Sequence, residues 1–176
     1  MTADPQQAAP DPYQAKRPVS AALAGPYGHP FHPILVTVPI GTWVASLIFD
    51  LASHVVDDPE FLARGALWLI AIGVLGALAA ATVGFLDFLA IPAGTPAFRT
   101  GLVHLSLNLA VTVAFALDFV WRRAEGTHGA VPWGPLLLSM AALATLTVSG
   151  YLGGKLAYRY GVRVADETTQ AAGFQR

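Results

Sequence analysis

The sequence predicts an all-α polytopic membrane protein, a four-helix up-down-up-down transmembrane bundle, and three observations lead there. Four long stretches are nearly free of charge. The chain is apolar throughout: 55% of its 176 residues are hydrophobic and 12% charged, with a mean hydropathy of +0.55, whereas a soluble domain carries about 25% charged residues. Short polar turns bearing Pro or Gly separate the stretches, so successive helices run antiparallel and both ends of the chain fall at one membrane face.

Residues 1–27 are rich in Pro, Gln, Ala and Asp and lack a sustained apolar run, which predicts a mobile tail. No cleavable signal is expected, because Lys16 and Arg17 are followed by Pro18 and only a short apolar segment before Gly25 and Pro26. Gly28-His29-Pro30-Phe31-His32-Pro33 then opens the first span, expected over 32–53, long enough for the roughly 20 residues that cross about 30 Å of hydrocarbon. Pro33 suits a first helical turn, and Pro39 should bend the span. Asp50 and His54, at its far end, are expected on the wet rim of that face, beside the acidic connection of Asp57, Asp58 and Glu60.

The second span, 62–90, carries no charge from Gly65 to Leu86. Gly73, Gly76, Ala80 and Gly84 recur three or four residues apart on one face, which admits a close neighbour, and Asp87 continues that stripe into the bundle. Ile91 to Pro96 form a turn, with Thr95 as N-cap and Pro96 in the first turn of the third span, 96–123. His104, Asn108 and Thr112 share one face of this helix and should face its neighbours, since a polar stripe in lipid is costly. Asp118 is expected to pair with Arg122 at i, i+4. The fourth span, 131–159, is uncharged from Ala130 to Gly154 and closes in Ser149-Gly150-Tyr151-Leu152-Gly153-Gly154. The membrane domain thus covers 28–163, with 164–176 as a polar C-terminal tail.

Alternating helices gather His29, His32, Asp87, Arg99, His104, Tyr151, Lys155 and Tyr158 at the face that holds both termini. In a structural reading of this face, Asp87 and Arg99 would form a buried ion pair that locks the turn between the second and third helices. Lys16, Arg17, Arg99, Lys155, Arg159 and Arg163 sit at this face against Arg64, Arg122 and Arg123 at the other, which places both termini in the cytoplasm. Tyr151, Tyr158, Trp68, Trp121 and Trp133 fall near span ends as interface anchors. The absence of cysteine removes disulfides, thiolate metal sites, iron–sulfur clusters and covalent c-type haem. A net charge of -1 implies no nucleic-acid partner. Nothing in the chain matches a phosphate-binding glycine loop or a nucleophile–base pair at diagnostic spacing.

Three readings of the cluster stay open. In the first, His32 and His104 ligate a b-type haem from the first and third helices, with Arg99, Lys155 or Arg159 neutralising its propionates. Pairing them requires the first helix to begin deep in the bundle, since His104 lies about 12 Å along its own helix. In the second, His32, His104, His29 and Asp87 hold a smaller metal ion. In the third, the histidines satisfy backbone carbonyls and no cofactor is bound. The alternative function class is a transporter or channel subunit, or a structural component of a membrane complex; matching halves with interrupted helices are not evident, although the first and third helices both open with Pro-containing turns.

His29-Pro30-Phe31-His32-Pro33, Phe49-Asp50-Leu51, Gly84-Phe85-Leu86-Asp87, Ile91-Pro92, Gly94-Thr95-Pro96, Gly101, His104 and Ser149 to Gly154 together resemble the bacterial integral-membrane family of domain of unknown function 2231. The resemblance covers roughly 28–163 and implies a multi-pass protein of the bacterial cytoplasmic membrane. Its partners would be the lipid bilayer and a membrane redox complex or a second copy of the chain. His32-Pro33-Ile34-Leu35-Val36 with His104 is also similar to the ascorbate-linked transmembrane b-type cytochromes, which implies haem and electron transfer. Those proteins hold a second haem between helices two and four; the corresponding spans here contain no histidine, so one haem at most would follow.

Overall fold

A computed structural model describes residues 11, 13–20 and 23–175. All regular structure among them is helical. Helices α1 (Phe31–Leu35) and α2 (Thr37–Ala52) make one span, α3 (Glu60–Leu89) the second, α4 (Pro96–Glu125) the third and α5 (Trp133–Tyr158) the fourth. A short α6 (Glu167–Ala172) follows. The four spans are long and apolar enough to cross a membrane, and the chain is a multi-pass membrane protein.

Local chemistry sets the helix ends. Pro39 has no N–H to give to the Leu35 carbonyl four residues back, and the bend expected from it takes the form of a break between α1 and α2 at Val36, whose N–H bonds to the His32 carbonyl at 3.1 Å. Thr95 caps α4 by accepting the Phe98 N–H at 3.1 Å, with Pro96 at the first helical position. The small stripe of α3 receives the first span: a Cβ at Gly76 would stand 2.7 Å from Val38 Cγ1 and one at Gly84 2.6 Å from His32 Nδ1. In mid-bundle Trp43 stacks on Phe115 at 4.2 Å, in a layer with Ile70, Ala77, Val111 and Ala142.

The two hairpins, α1–α3 and α4–α5, are matching halves. Every buried residue of α2 has a buried counterpart in α4 at one fixed offset: Pro39 and Val111, Trp43 and Phe115, Ser46 and Asp118, Asp50 and Arg122. The buried residues of α5 find counterparts in α3 in the same way: Ala66 and Pro135, Leu67 and Leu136, Ile70 and Ser139, Gly73 and Ala142, Ala80 and Ser149, Asp87 and Leu156. Contacts within each half repeat too. A Cβ at Gly65 would meet the Phe49 ring at 2.8 Å, and one at its counterpart Gly134 would meet Trp121, the counterpart of Phe49, at 2.7 Å. Both halves run in the same direction, so the pseudo-twofold axis lies along the bundle. His32 with His104, Trp43 with Phe115, and Asp50 with Arg122 are paired across it.

Parts of the stretches outside the four spans lie against the bundle. Residues 1–10, 12, 21 and 22, all within the stretch expected to be a mobile tail, lie outside the described residues. The rest of that stretch packs on the bundle: Ala15 is buried with Ile91 and Leu156, and its carbonyl accepts the Arg163 N–H at 2.9 Å. The C-terminal stretch returns the contact through Lys16 Nζ and Glu167 Oε1 at 3.3 Å.

Candidate functional site

His32 and His104 meet at the chain-end face with ring centroids 6.4 Å apart and planes at 88°. Each ring is held in the same way by its own hairpin. His32 Nδ1 lies 2.9 Å from the Ala80 carbonyl and its ring rests on Gly84; His104 Nδ1 lies 2.8 Å from the Ser149 carbonyl and its ring rests on Gly153, where a Cβ would stand 3.0 Å from Cε1. A carbonyl oxygen can only accept, so both rings donate from Nδ1 and keep their lone pair on Nε2. More than a turn of α3 and of α5 extends beyond these glycines, so His32 lies inside the bundle although α1 has barely begun.

The rest of the expected cluster separates from the pair. His29 packs its ring against Tyr27 at 5.7 Å. The Asp87–Arg99 pair does not form: Arg163, the last residue before the expected C-terminal tail, reaches back so that Nε stands 2.9 Å from Asp87 Oδ1. The Arg163 N–H is not aimed along that line, so the contact is ionic rather than a formed hydrogen bond. A second guanidinium nitrogen donates to the Leu23 carbonyl, and Arg163 holds a φ of 58° to do both. Arg99 is exposed at the same face. Lys155 lies 5.7 Å from the Tyr160 ring centroid and lines an open cavity with Tyr151, Tyr158 and Arg159. Among the described residues no group of three or more His, Asp or Glu side chains is placed to hold an ion, so the four-ligand set of His32, His104, His29 and Asp87 does not assemble.

A bis-imidazole centre is a different matter. Two nitrogen donors on opposite sides of one ion, each at about 2.0–2.1 Å, hold ring centroids roughly 6 Å apart, close to the spacing seen. Metal-bound histidines commonly donate their other ring N–H to a backbone carbonyl, as both do here. One competitor is present: Asn108 Nδ2 stands 3.1 Å from His104 Nε2 and must turn aside before that nitrogen can ligate. Donor type and ring spacing are those of a two-imidazole centre, with Asn108 on the His104 nitrogen that would ligate.

The other end of the bundle holds a cluster that the sequence reading placed differently. Asp50, expected on a wet rim, is fully buried, and Arg122 grips both its oxygens at 2.6 and 2.7 Å. The expected Asp118–Arg122 pair is present at 3.0 Å and extends to Ser139. Ser53 closes the cluster by accepting the Val131 N–H at 3.0 Å. His54 is on the exposed rim and stacks on Trp133 at 4.7 Å. The missed signal was arithmetic: the spacing from His32 to Asp50 equals that from His104 to Arg122, and the charges are opposite.

Fold and polar centres define a small multi-pass membrane bundle of two like hairpins. The family model for predicted membrane protein DUF2231 matches residues 28–166, and the chain belongs to that family. No curated protein and no solved structure matches it.

Proposed function

We propose that this protein is a redox component of the bacterial cytoplasmic membrane whose His32 and His104 supply the two axial nitrogens of one b-type haem, or of a single iron or copper ion, at the cytoplasmic end of the bundle. The observation that supports it is the imidazole pair: two rings at a spacing suited to one shared ion, each with Nδ1 committed to a carbonyl and the lone pair on Nε2, which at His104 must first be released by Asn108. A bound haem would supply reversible one-electron transfer. The carbonyls of Ala80 and Ser149 fix the tautomer, Gly84 and Gly153 set the depth of each ring, and Arg99, Lys155 and Arg159 offer positive charge at the same face. The apolar layer around Trp43 and Phe115 separates this centre from the cluster at the other end, which favours a local site over a conduit. Orientation follows the cations outside buried ion pairs: with Arg122 and Arg163 drawn into such pairs, Lys16, Arg17, Arg99, Lys155 and Arg159 face only Arg64 and Arg123, and the richer side is cytoplasmic.

A second reading rests on Asn108. With its amide on His104 Nε2, the histidines serve as hydrogen-bonded packing and no cofactor is held. Visible spectra of the detergent-purified protein, oxidised and reduced, together with metal analysis, separate the two. The redox reading expects a Soret band, or stoichiometric iron or copper, that is lost in His32→Ala and His104→Ala and retained in Asn108→Ala. A colourless, metal-free protein after expression with added haem precursor and metal leaves the packing reading.

A further inference from the structure

We propose that the buried cluster at the end opposite the histidines is a proton-binding site, with the proton carried on Asp118 Oδ1. Asp50 and Asp118 are 0% exposed and Arg122 3%, so two carboxylates share one guanidinium where solvent cannot screen them. With both ionised, one negative charge would be left over inside a membrane-spanning bundle, at a cost of several kcal/mol. One added positive charge removes it.

The geometry selects the ligand. Both Asp50 oxygens are taken by Arg122, and Asp118 Oδ2 accepts from Arg122 Nε at 3.0 Å and from Ser139 Oγ at 2.9 Å. Asp118 Oδ1 is buried and has no hydrogen-bond partner among the described residues. A sodium ion needs several oxygens around it, and among the cluster's described side chains one carboxylate oxygen is unengaged. A proton needs only that one.

Charged groups from every packed element enter the balance. Asp50 comes from α2, Arg122 from α4, and α5 presents only the neutral Ser139. At the rim Glu60 of α3 is shared between Arg64 at 3.9 Å and His128 at 3.8 Å. A cavity of about 120 Å³ at the loop after α4, lined by Arg122, Glu125, His128 and Val131 among others, touches the cluster at Arg122 and at neither carboxylate. That volume admits several waters, so the proton would enter from the face opposite the histidines, past Arg122.

Infrared spectra of the full chain in lipid nanodiscs near neutral pH test this. The expected result is a carboxylic acid C=O band that shifts in D2O, moves in Asp118→Glu, stays put in Asp50→Glu and Asp87→Asn, and is indifferent to replacing sodium with choline. The unsubstituted protein alone can refute it, by showing no protonated carboxyl band under these conditions. A band that follows Asp50 or Asp87, or that disappears when sodium is added, overturns it equally.

Discussion

A glycine under each histidine is what allows both imidazoles to lie on the backbone of a neighbouring helix and reach its carbonyls. At Gly84 a methyl group would stand 2.6 Å from His32 Nδ1, and at Gly153 3.0 Å from His104 Cε1. Ring, carbonyl and glycine form one unit, so the ring cannot retreat without losing its hydrogen bond. Gly84→Ala and Gly153→Ala should therefore each destabilise the bundle by about 1–3 kcal/mol, as overpacking does elsewhere. Gly150→Ala is the control: nothing lies within 4 Å of its Cβ position, and replacing a helical glycine should gain up to about 1 kcal/mol. Thermal unfolding in detergent measures all three, and equal effects at the three positions would refute the wedge. The histidines themselves were legible because polar residues are rare in such a chain and antiparallel threading brings residues 32 and 104 to one end. Their carbonyl partners were not legible, since a backbone acceptor leaves no mark on residue type.

Among the elements, the four spans were written plainly in the hydropathy, and the turn at Thr95-Pro96 in its capping chemistry. The cover over the chain-end face was not. Polar composition predicts tails, but Arg163 pairs with Asp87 and so ties the stretch after α5 to Ala15 and Leu23; a charge neutralised by a partner far away in sequence reads as ordinary solvent-facing charge. Helix α6 hangs on two carboxylates. Asp166 accepts the Thr169 N–H at 2.8 Å as N-cap, which holds its carboxyl below the usual range. Glu167 is lowered chiefly by its own backbone N–H and then by Lys16. A carboxyl depressed on folding contributes stability above its unfolded pKa and loses it as pH falls through the folded value. Acidification below the ordinary Asp and Glu values of about 3.9 and 4.3 should thus release α6 while the four spans hold. Hydrogen exchange over 166–172 should accelerate there ahead of residues in α2 to α5; simultaneous loss of protection would show that the cover is no separate unit.

At the scale of the whole molecule, the chain behaves as two hairpins that recognise each other along a common axis. The repeat escapes sequence reading because the halves share positions rather than residues: Trp43 answers to Phe115, Ser46 to Asp118, and Asp50 to its opposite charge, Arg122. That last inequality decides the pairing. Two copies of the first hairpin would set Asp50 against Asp50 in a dry site, a like-charge contact costing several kcal/mol; two of the second would each keep the Arg122–Asp118 pair but offer Arg122 no second carboxylate. Only the mixed pair forms the bidentate contact at 2.6 and 2.7 Å. The exposed turn at Ala93 and Gly94 joins the halves without contributing to their interface. Residues 1–93 and 94–176, co-expressed as separate chains with different tags, should therefore co-purify in equal amounts, whereas the first half expressed alone should not self-pair. Asp50→Arg in the first half should abolish co-purification with the normal second half, and Arg122→Asp in the second should restore part of it. If the halves do not associate, or if the first forms stable pairs with itself, the opposite charges on the axis are not what selects the partner.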